Sequence, residues 1–342
     1  MEKTTIKKKR VFFLSIISVL IIVMSLCLVV VMGLQRDSGP RYAFFLYNGG
    51  DTFIAEMMSH ISLNIADHVF FEVFDANNSQ SVQNHQIVDL VDEGFDLLII
   101  NPVDRLASCS IVRLCVREGI PVIFFNREPL ADALLGNDNV FYVGADAGSL
   151  GIKQAELAAG FFTGDTVSVV ILKGEHGHQD AEMRTENSVN RLKELGFYVD
   201  VLAVHSANWR REDAFEVMRS LYAQFGDSIE LVFANNDDMA LGAIDYLLEA
   251  GVFVEGRQAC EQPFIIISVD GTPVGLDAVY RGLIYGTVHN NIAKQSSAIL
   301  TLADFIVNGR DIRDFPYPIT NDHYIYIDGD IITRENVSEF IR

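Results

Sequence analysis

Polar and aromatic side chains follow several of the apolar runs in this sequence. Asp51 and Phe53 come soon after the first such run, Asn126 follows another, and Asp270 and Asn290 follow two of the last. Carboxylate and amide groups form hydrogen bonds and aromatic rings offer flat apolar faces, so these residues could hold a small polar ligand. Asn and Asp also cap helices, and at any one position capping is the commoner explanation. A whole set of such strand ends is harder to assign to capping alone.

The elements that must position these side chains alternate along the chain. From Arg41 onward, apolar runs of strand length alternate with amphipathic segments of helix length. This alternation predicts parallel sheets covered by helices on both faces. About ten strands exceed one ordinary sheet, so two α/β domains are expected. Ligands of open parallel sheets bind beyond the carboxyl ends of the strands, where the polar residues lie.

The predicted elements have the following bounds. The strands include Ala43 to Tyr47, Val69 to Phe74, Asp96 to Asn101, Pro121 to Asn126, Asn139 to Val143, Thr166 to Leu172, Tyr198 to Val204, Glu230 to Ala234, Phe264 to Val269 and Tyr285 to Val288. The helices include Gln154 to Phe162, Asp180 to Leu195, Arg211 to Phe225 and Asp237 to Ala250.

The first 34 residues differ from the rest of the chain. Five Lys and Arg among the first ten residues precede 24 uncharged residues, from Val11 to Leu34, which are long enough to span a bilayer as a helix. The positive-inside rule keeps the N-terminus in the cytoplasm and places the remainder outside. Residues 1–34 are therefore predicted to be a signal peptide or a membrane anchor. Lipidation at Cys27 is less favoured, because the bulky Leu26 precedes it.

The remainder of the chain is strongly acidic. Of 26 Lys and Arg and 46 Asp and Glu, the first ten residues hold five bases and one acid, which leaves 21 bases and 45 acids after Leu34. Such a body repels phosphate backbones and anionic lipid headgroups, so binding to nucleic acid is not expected. Outside the apolar run there are three cysteines, Cys109, Cys115 and Cys260, so at least one thiol is unpaired.

Five segments form motifs that are specific in combination. They are PVIFFNREP from Pro121, KGEHGHQDAEMR from Lys173, ANNDDMALG from Ala234, VDG from Val269 and GTVHN from Gly286. Together they resemble the periplasmic sugar-binding proteins of the ribose/galactose type, most closely the galactose/glucose-binding branch. The resemblance runs from about Arg41 to the C-terminus. It implies a type I periplasmic binding protein, in which two doubly wound parallel-sheet lobes are joined by three crossovers. It implies no enzyme and no cofactor.

The resemblance also implies which residues contact the sugar. Carried over position by position, they are Asp51, Phe53, Asn126, His178, Asp180, Arg184, Trp209, Asn236, Asp270 and Asn290. A pyranose has hydroxyls that both donate and accept, which suits planar carboxylate, amide and guanidinium groups. Its two C–H faces suit aromatic rings, and Phe53 and Trp209 would lie against them. Trp209 is the only tryptophan and stands in a polar segment, where burial in a core is less natural.

Three other functions could use the same residues. His178, Asp180 and Glu182 alternate with a spacing that could suggest a metal site, but no further His or Cys lies at ligand spacing. A glycosidase could use the carboxylates as acid and base, but Arg184 is expected to lower the pKa of a nearby acid, the opposite of what a general acid needs. A transcriptional repressor shares the two-lobed fold, but an apolar segment stands here in place of a helix-turn-helix. None of the three is expected.

One segment departs from the galactose/glucose-binding branch. That branch has a calcium loop rich in Asp and Asn just before the strand that leads to the KGE motif. This chain has only Phe161 to Thr166 there, with a single carboxylate. Glu230 keeps the position of a distant ligand but cannot hold the ion alone. We therefore expect no bound calcium.

The resemblance places crossings between the lobes near Ala145 to Asp146, near Asn290 to Asn291 and between about Thr320 and Tyr326. The predicted lobe boundaries follow from these crossings. Lobe one would comprise residues 41–145 and 291–322, and lobe two residues 146–290 and 323–342. Because the sugar contacts both lobes, it binds fully only when they close, and closure is the signal that a partner detects.

The implied ligands are D-galactose and D-glucose. Asp51 would accept the proton of the C4 hydroxyl, and a two-oxygen acceptor can serve either epimer. The expected partner is an ABC permease, to which the sugar is delivered. The alternative is a membrane chemoreceptor or histidine kinase, which a retained anchor would favour. The protein is expected to be a monomer in the periplasm or on the extracellular face of the cell membrane, secreted or anchored by residues 11–34.

Overall fold

Two six-stranded sheets form the framework of the protein. The computed structural model describes residues 39–341. The strands are β1 (Arg41–Leu46), β2 (Phe70–Asp75), β3 (Leu97–Ile100), β4 (Val122–Phe125), β5 (Val140–Gly144), β6 (Thr166–Lys173), β7 (Tyr198–Ser206), β8 (Leu231–Ala234), β9 (Ile265–Asp270), β10 (Gly286–His289), β11 (Tyr324–Tyr326) and β12 (Asp330–Thr333). The helices are α1 (Thr52–Asn64), α2 (Gln80–Leu90), α3 (Ser108–Arg117), α4 (Ala131–Leu134), α5 (Ala147–Ala159), α6 (Gln179–Glu194), α7 (Arg211–Phe225), α8 (Asp237–Glu249), α9 (Pro273–Tyr280) and α10 (Ile292–Val307).

The first sheet has the strand order β11-β5-β4-β3-β1-β2, and its strands are parallel. Its central strands are short apolar runs, such as Leu97–Ile100 and Val122–Phe125, in which every residue is buried. Strands of this kind need cover on both faces. Helices α1 and α10 pack on one face and α2, α3 and α4 on the other. The sheet and these helices make up the first lobe.

The second sheet has the strand order β12-β10-β9-β8-β6-β7. Helices α7, α8 and α9 cover one face, and α5 and α6 cover the other, completing the second lobe. Strand β12 runs antiparallel to β10, whereas the sequence pattern predicted parallel strands. The chain reaches β12 directly from the first lobe without a crossover helix, so it enters this sheet in the opposite direction.

The chain passes between the two sheets three times. It leaves the first sheet after β5, returns after β10 and leaves again between β11 and β12. The prediction that lobe two resumes at residue 323 is wrong, because β11 pairs with β5 of the first sheet. Tyr324 and Tyr326 stack on each other and both pack edge-on against Tyr142, which holds β11 in the first lobe. The crossing therefore lies at residues 327–329.

The close packing of α5 against α6 fixes the position of Arg184, one of the predicted binding residues. Helix α5 begins earlier than the predicted Gln154, because the Asp146 carboxylate caps it by accepting a hydrogen bond from the Gly148 N–H (3.0 Å). A Cβ at Gly151 would lie 2.5 Å from the carbonyl oxygen of Arg184, so the two helices approach too closely for any larger residue. This contact fixes the backbone from which the Arg184 side chain projects.

The predicted membrane segment, residues 1–34 with Cys27, lies outside the described residues. Among residues 39–341, no helix is both long enough and apolar enough to cross a bilayer. Cys109, Cys115 and Cys260 are free thiols in this part of the chain. The prediction that at least one thiol is unpaired is therefore confirmed for the described residues.

Candidate functional site

An inner cavity lies where the carboxyl ends of the two sheets face each other. Its cavity volume is about 40 Å³, well below the roughly 300–1,000 Å³ of pockets that hold drug-sized ligands. The residues that line it are Tyr47, Asp51, Phe53, Asn126, Arg127, His178, Asp180, Arg184, Trp209, Asn236 and Asp270. The fold thus brings nine of the ten predicted site residues together, all but Asn290.

Three of the lining residues are also helix N-caps. Asp51 Oδ1 accepts a hydrogen bond from the first turn of α1 (2.9 Å), and the side-chain oxygen of Asn236 accepts one from the first turn of α8 (2.9 Å). His178 accepts from the Asp180 N–H at the start of α6 (3.2 Å). Capping uses one polar atom of each side chain, fixes its conformation and leaves a second polar atom for other contacts. Capping and ligand contact are therefore compatible at these positions.

The first lobe holds its polar groups through hydrogen bonds within the lobe. The Tyr47 hydroxyl donates to Asp51 Oδ2 (2.6 Å), and burial together with the Asp51 charge raises the pKa of Tyr47, so the hydroxyl stays a donor. Asn126 has a left-handed backbone (φ 58°), which Asn tolerates. Asn101 donates to Asn126 Oδ1 (3.1 Å) and the Tyr142 hydroxyl donates to the Asn126 carbonyl (2.9 Å). These hydrogen bonds fix the side chains of Asp51 and Asn126 in the absence of a ligand.

Arg184 lies between two buried carboxylates. Its Nη2 is 3.5 Å from Asp180 Oδ2 and its Nη1 is 3.6 Å from Asp270 Oδ1. Nη1 donates a closer hydrogen bond to the Asn235 carbonyl (2.6 Å). Burial raises the pKa of both carboxyls, and attraction to Arg184 opposes this only in part. Arg184 does lower the pKa of each neighbouring acid, as expected, but desolvation outweighs it, so the net shift is upward and the pKa argument against a general acid fails.

Asn290 lies behind Asp270 rather than on the cavity surface. Asp270 ends β9 with φ at 120°, a strained conformation for a non-glycine residue. Asn290 Nδ2 donates to Asp270 Oδ1 (3.4 Å), and Asn290 Oδ1 accepts from Gln295. Asn290 is buried. The geometry makes Asn290 a positioning partner of Asp270, and its predicted contact with a ligand stays a prediction.

Trp209 presents its ring through an unusual backbone. Asn208 and Trp209 both have left-handed φ values, 52° and 64°. A Cβ at Gly174 would lie 2.2 Å from the indole, so only glycine leaves room for the ring. His178 meets the indole edge-on at 5.3 Å between ring centroids, and the Arg184 guanidinium lies 5.6 Å from the indole centroid. The ring is half-buried and held on several sides.

Asp237, directly after Asn236, holds the carboxyl ends of three strands together. Its carboxylate accepts hydrogen bonds from the Ser268 hydroxyl (2.6 Å), the Thr272 N–H (2.7 Å), the Thr272 hydroxyl (2.9 Å) and the Thr287 hydroxyl (2.9 Å). Asp237 is fully buried. It ties the end of β8 to β9 and β10, and so supports the strand ends that carry the second lobe's binding residues.

Two lining residues escaped the sequence prediction, Tyr47 and Arg127. The Arg127 guanidinium lies 3.4 Å from the centroid of the Tyr47 ring. It also donates to the Val103 carbonyl (2.9 Å) and to Glu175 Oε1 (3.2 Å). Glu175 belongs to the second lobe, so Arg127 bridges the cleft. The only signal in the sequence is that Arg127 directly follows Asn126.

The residues considered for metal binding have other partners. Glu182 pairs with Lys173, and Glu230 Oε2 accepts from the Ser168 N–H (2.7 Å). Burial holds the pKa of His178 well below its usual range, so its ring is neutral. Within residues 39–341, no group of three or more His, Cys, Asp or Glu is arranged to hold a metal ion. The absence of calcium stays a prediction.

Comparisons with known proteins agree with this architecture. A family model described as periplasmic binding protein domain matches residues 42–311. The chain is 28% identical over 314 residues to the D-galactose/methyl-galactoside binding periplasmic protein of Haemophilus influenzae, covering 88% of this chain and 92% of that one. A solute-binding protein of an ABC transporter from Bacillus halodurans, solved with myo-inositol, has a TM-score of 0.75 and 26% identity over 90% of this chain and 99% of that one. Another, from Actinobacillus succinogenes with D-allose, has a TM-score of 0.75 and 22% identity over 88% of this chain and 99% of that one.

The family match covers most of the chain and confirms the resemblance inferred from the motifs. It also bears on the glycosidase alternative. Periplasmic binding proteins are not enzymes, which answers the glycosidase hypothesis on better grounds than the pKa of a carboxyl. The family implies a periplasmic location. With its two α/β lobes, three crossings and a polar cavity between facing strand ends, the chain belongs to the periplasmic binding protein family.

Proposed function

We propose that the protein binds D-galactose and D-glucose in the inner cavity by closing its lobes around the sugar. The observation that carries this proposal is a single cavity in which hydrogen-bonding groups of both lobes meet two aromatic residues, Phe53 and Trp209. Carboxylate, amide and guanidinium groups can pair with neighbouring hydroxyls of a hexose. The two aromatic residues supply apolar surface for its C–H faces.

Asp51 is the residue proposed to admit both C4 epimers. Its two oxygens are oriented by the cap of α1 and by the Tyr47 hydroxyl. Each carboxylate oxygen has a further lone pair, so an axial or an equatorial C4 hydroxyl can donate to it. Support comes from the relative named for D-galactose and methyl-galactoside, and from neighbours solved with other polyhydroxylated compounds, myo-inositol and D-allose.

The proposed mechanism is closure stabilised by the ligand. Asp51 and Asn126 belong to the first lobe, whereas Arg184 and Asp270 belong to the second. A sugar that contacts all four stabilises the closed arrangement relative to an open one, in which only half of the contacts exist. The Arg127–Glu175 bridge adds a direct contact between the lobes to the closed form.

Isothermal titration tests the ligand assignment. We expect heat of binding from both D-galactose and D-glucose. Ribose, D-allose and myo-inositol serve as comparison ligands, since each places its hydroxyls differently. Heat from one or more of these three, with none from D-galactose or D-glucose, would contradict the assignment while leaving a polyol-binding site.

We further propose that the closed form delivers its sugar to an ABC permease and that residues 11–34 serve as secretion signal or anchor. The uncharged run of 24 residues and the family's role support this. Mass spectrometry of the N-terminal residue of the mature protein distinguishes cleavage from retention. Uptake of labelled hexose in cells that lack the protein tests delivery. Undiminished uptake together with a lost response to the sugar would instead support sensing through a membrane receptor.

A further inference from the structure

Arg127 is a buried cation whose partner in an ion pair comes from the opposite lobe. Its side chain is 6% exposed and belongs to the first lobe. In the part of the chain that the structure describes, the only carboxylate paired with its guanidinium is that of Glu175 in the second lobe, at 3.2 Å. Arg184 differs, because Asp180 and Asp270 of its own lobe lie beside it. The ion pair of Arg127 therefore exists only while the two lobes touch.

Glu175 uses its carboxylate for this contact alone. Among residues 39–341, Arg127 is the only group that donates a hydrogen bond to the Glu175 carboxylate or forms an ion pair with it. The Glu175 side chain is 37% exposed and does not line the inner cavity. Substitution of Glu175 therefore removes a contact between the lobes and leaves the cavity wall intact.

The ion pair joins two segments that carry predicted binding residues. Arg127 directly follows Asn126, and its guanidinium lies 3.4 Å from the centroid of the Tyr47 ring. The Glu175 carbonyl accepts a hydrogen bond from the His178 N–H (3.2 Å), in the turn that leads into α6. Because the Arg127 side chain is already held in its own lobe, the pair forms at a small cost in side-chain entropy. Its formation brings the segments of Asn126 and His178 together.

We propose that Glu175 is a positioning residue that retains the sugar without touching it, because its ion pair with Arg127 holds the lobes closed and slows release. This inference rests on the proposed function. A contact made only in the closed form stabilises that form relative to the open one, and the affinity for the sugar rises by up to the same factor. The pair must break before the lobes separate, so it acts mainly on the dissociation rate.

Glu175→Gln tests this role, because it removes the charge and keeps the shape of the side chain. Isothermal titration of the full chain gives the affinities for D-galactose and D-glucose. Stopped-flow fluorescence gives the rates, since Trp209 is the only tryptophan and lines the inner cavity. One member of the pair is buried and the other is partly exposed, so we expect each affinity to fall about three- to tenfold. The dissociation rate should rise by a similar factor, and the association rate should stay within about twofold.

Glu156→Gln is the matched control. Glu156 pairs with Arg191 within the second lobe (2.8 Å), and its side chain is 39% exposed. The two variants carry the same change of charge, but only Glu175→Gln loses a contact between the lobes, so Glu156→Gln should keep both affinities within about twofold. Salt is a second control. Raising the ionic strength from about 0.1 M to about 1 M should reduce the difference between Glu175→Gln and the unaltered chain, because salt screens an ion pair.

Each contrary outcome is distinct. Hexose affinities and dissociation rates in Glu175→Gln equal to those of the unaltered chain overturn the inference and leave the proposed function standing. A loss that is equal in Glu156→Gln also overturns it, because the total charge is then responsible. A loss that stays the same at about 1 M salt overturns it as well, because it then reflects a distorted turn. Binding of neither D-galactose nor D-glucose by the unaltered chain overturns the proposed function and this inference together.

Discussion

Two buried carboxylates of the second lobe, Asp237 and Asp270, differ in how the protein satisfies them. Asp237 accepts four hydrogen bonds of 2.6 to 2.9 Å from neighbouring strands and turns. Among residues 39–341, the Asp270 carboxylate has only the Asn290 amide at 3.4 Å and the Arg184 guanidinium at 3.6 Å as partners. Burial raises the pKa of both, but for Asp270 the rise is to well above the usual value. The Asp237 carboxylate therefore has hydrogen-bond donors from the protein for its acceptor sites, whereas the Asp270 carboxylate can accept further hydrogen bonds.

This difference separates structural from binding roles among residues that look alike in the sequence. A buried carboxylate with few partners costs folding free energy, and a protein keeps one where something outside the chain supplies the missing donors. The hydroxyls of a sugar would be such donors for Asp270. Asp237 needs none. Substitution of each residue should therefore affect different measurements.

The largest expected effect is on stability, from Asp237→Ala. The substitution leaves the hydroxyls of Ser268, Thr272 and Thr287 and one backbone N–H without their acceptor in a buried place. We expect the free energy of unfolding to fall by about 3–5 kcal/mol, measured by urea denaturation without sugar. Asp237→Asn keeps one acceptor oxygen and should lose less. An unchanged denaturation midpoint in Asp237→Ala would contradict the structural role of Asp237, and with it the contrast drawn between Asp237 and Asp270.

The next effect is on affinity, from Asp270→Ala. Loss of one charge-assisted hydrogen bond costs about 1.5–3 kcal/mol, so hexose binding should weaken roughly tenfold to more than a hundredfold. Without sugar, the variant should lose less stability than Asp237→Ala, because the buried Arg184 keeps its pairing with Asp180 (3.5 Å). Asp245→Ala is the control, since Asp245 pairs with Arg211 on the surface of the same lobe. Unaltered hexose affinity in Asp270→Ala would exclude Asp270 from the site.

The smallest effect is on the pH dependence of stability, from Asp270→Asn. Below the ordinary carboxyl pKa of 3.8, Asp270 is protonated in both the folded and the unfolded chain and costs nothing. As pH rises, the unfolded chain releases the proton first, so the free energy of unfolding falls until the raised pKa of the folded state is passed. The variant should therefore gain stability relative to the unaltered protein as the pH rises above about 4. A stability difference that is constant over this range would contradict the raised pKa.

Much of the fold was predictable because its central strands are buried on both faces. The prediction of a strand from Glu230 to Ala234 agrees with β8 to within one residue. Strands β11 and β12 were not predicted as separate units. Each is three or four residues long and lies at a sheet edge, so neither has an apolar run long enough to indicate it. The antiparallel direction of β12 depends on which sheet the chain comes from, which no local pattern encodes.

The sequence predicted those site residues that lie at or just after the end of a strand. Asp51, Asn126, Asn236 and Asp270 follow strands, and strand ends of a parallel sheet meet at one edge. Arg127 was missed because its role depends on the Tyr47 ring from another strand and on Glu175 from the other lobe. The contact with Glu175 arises only when the lobes come together.

The placement of β11 and β12 has a consequence for how the chain reaches its final form. Each adds the last strand at one edge of a different sheet, and only three residues separate them. The two halves of the molecule can therefore be completed during synthesis only after the chain through Tyr326 and Thr333, respectively, has left the ribosome. A nascent chain that stops before Tyr324 exposes one unpaired backbone edge in each half, and both edges are open to intermolecular pairing.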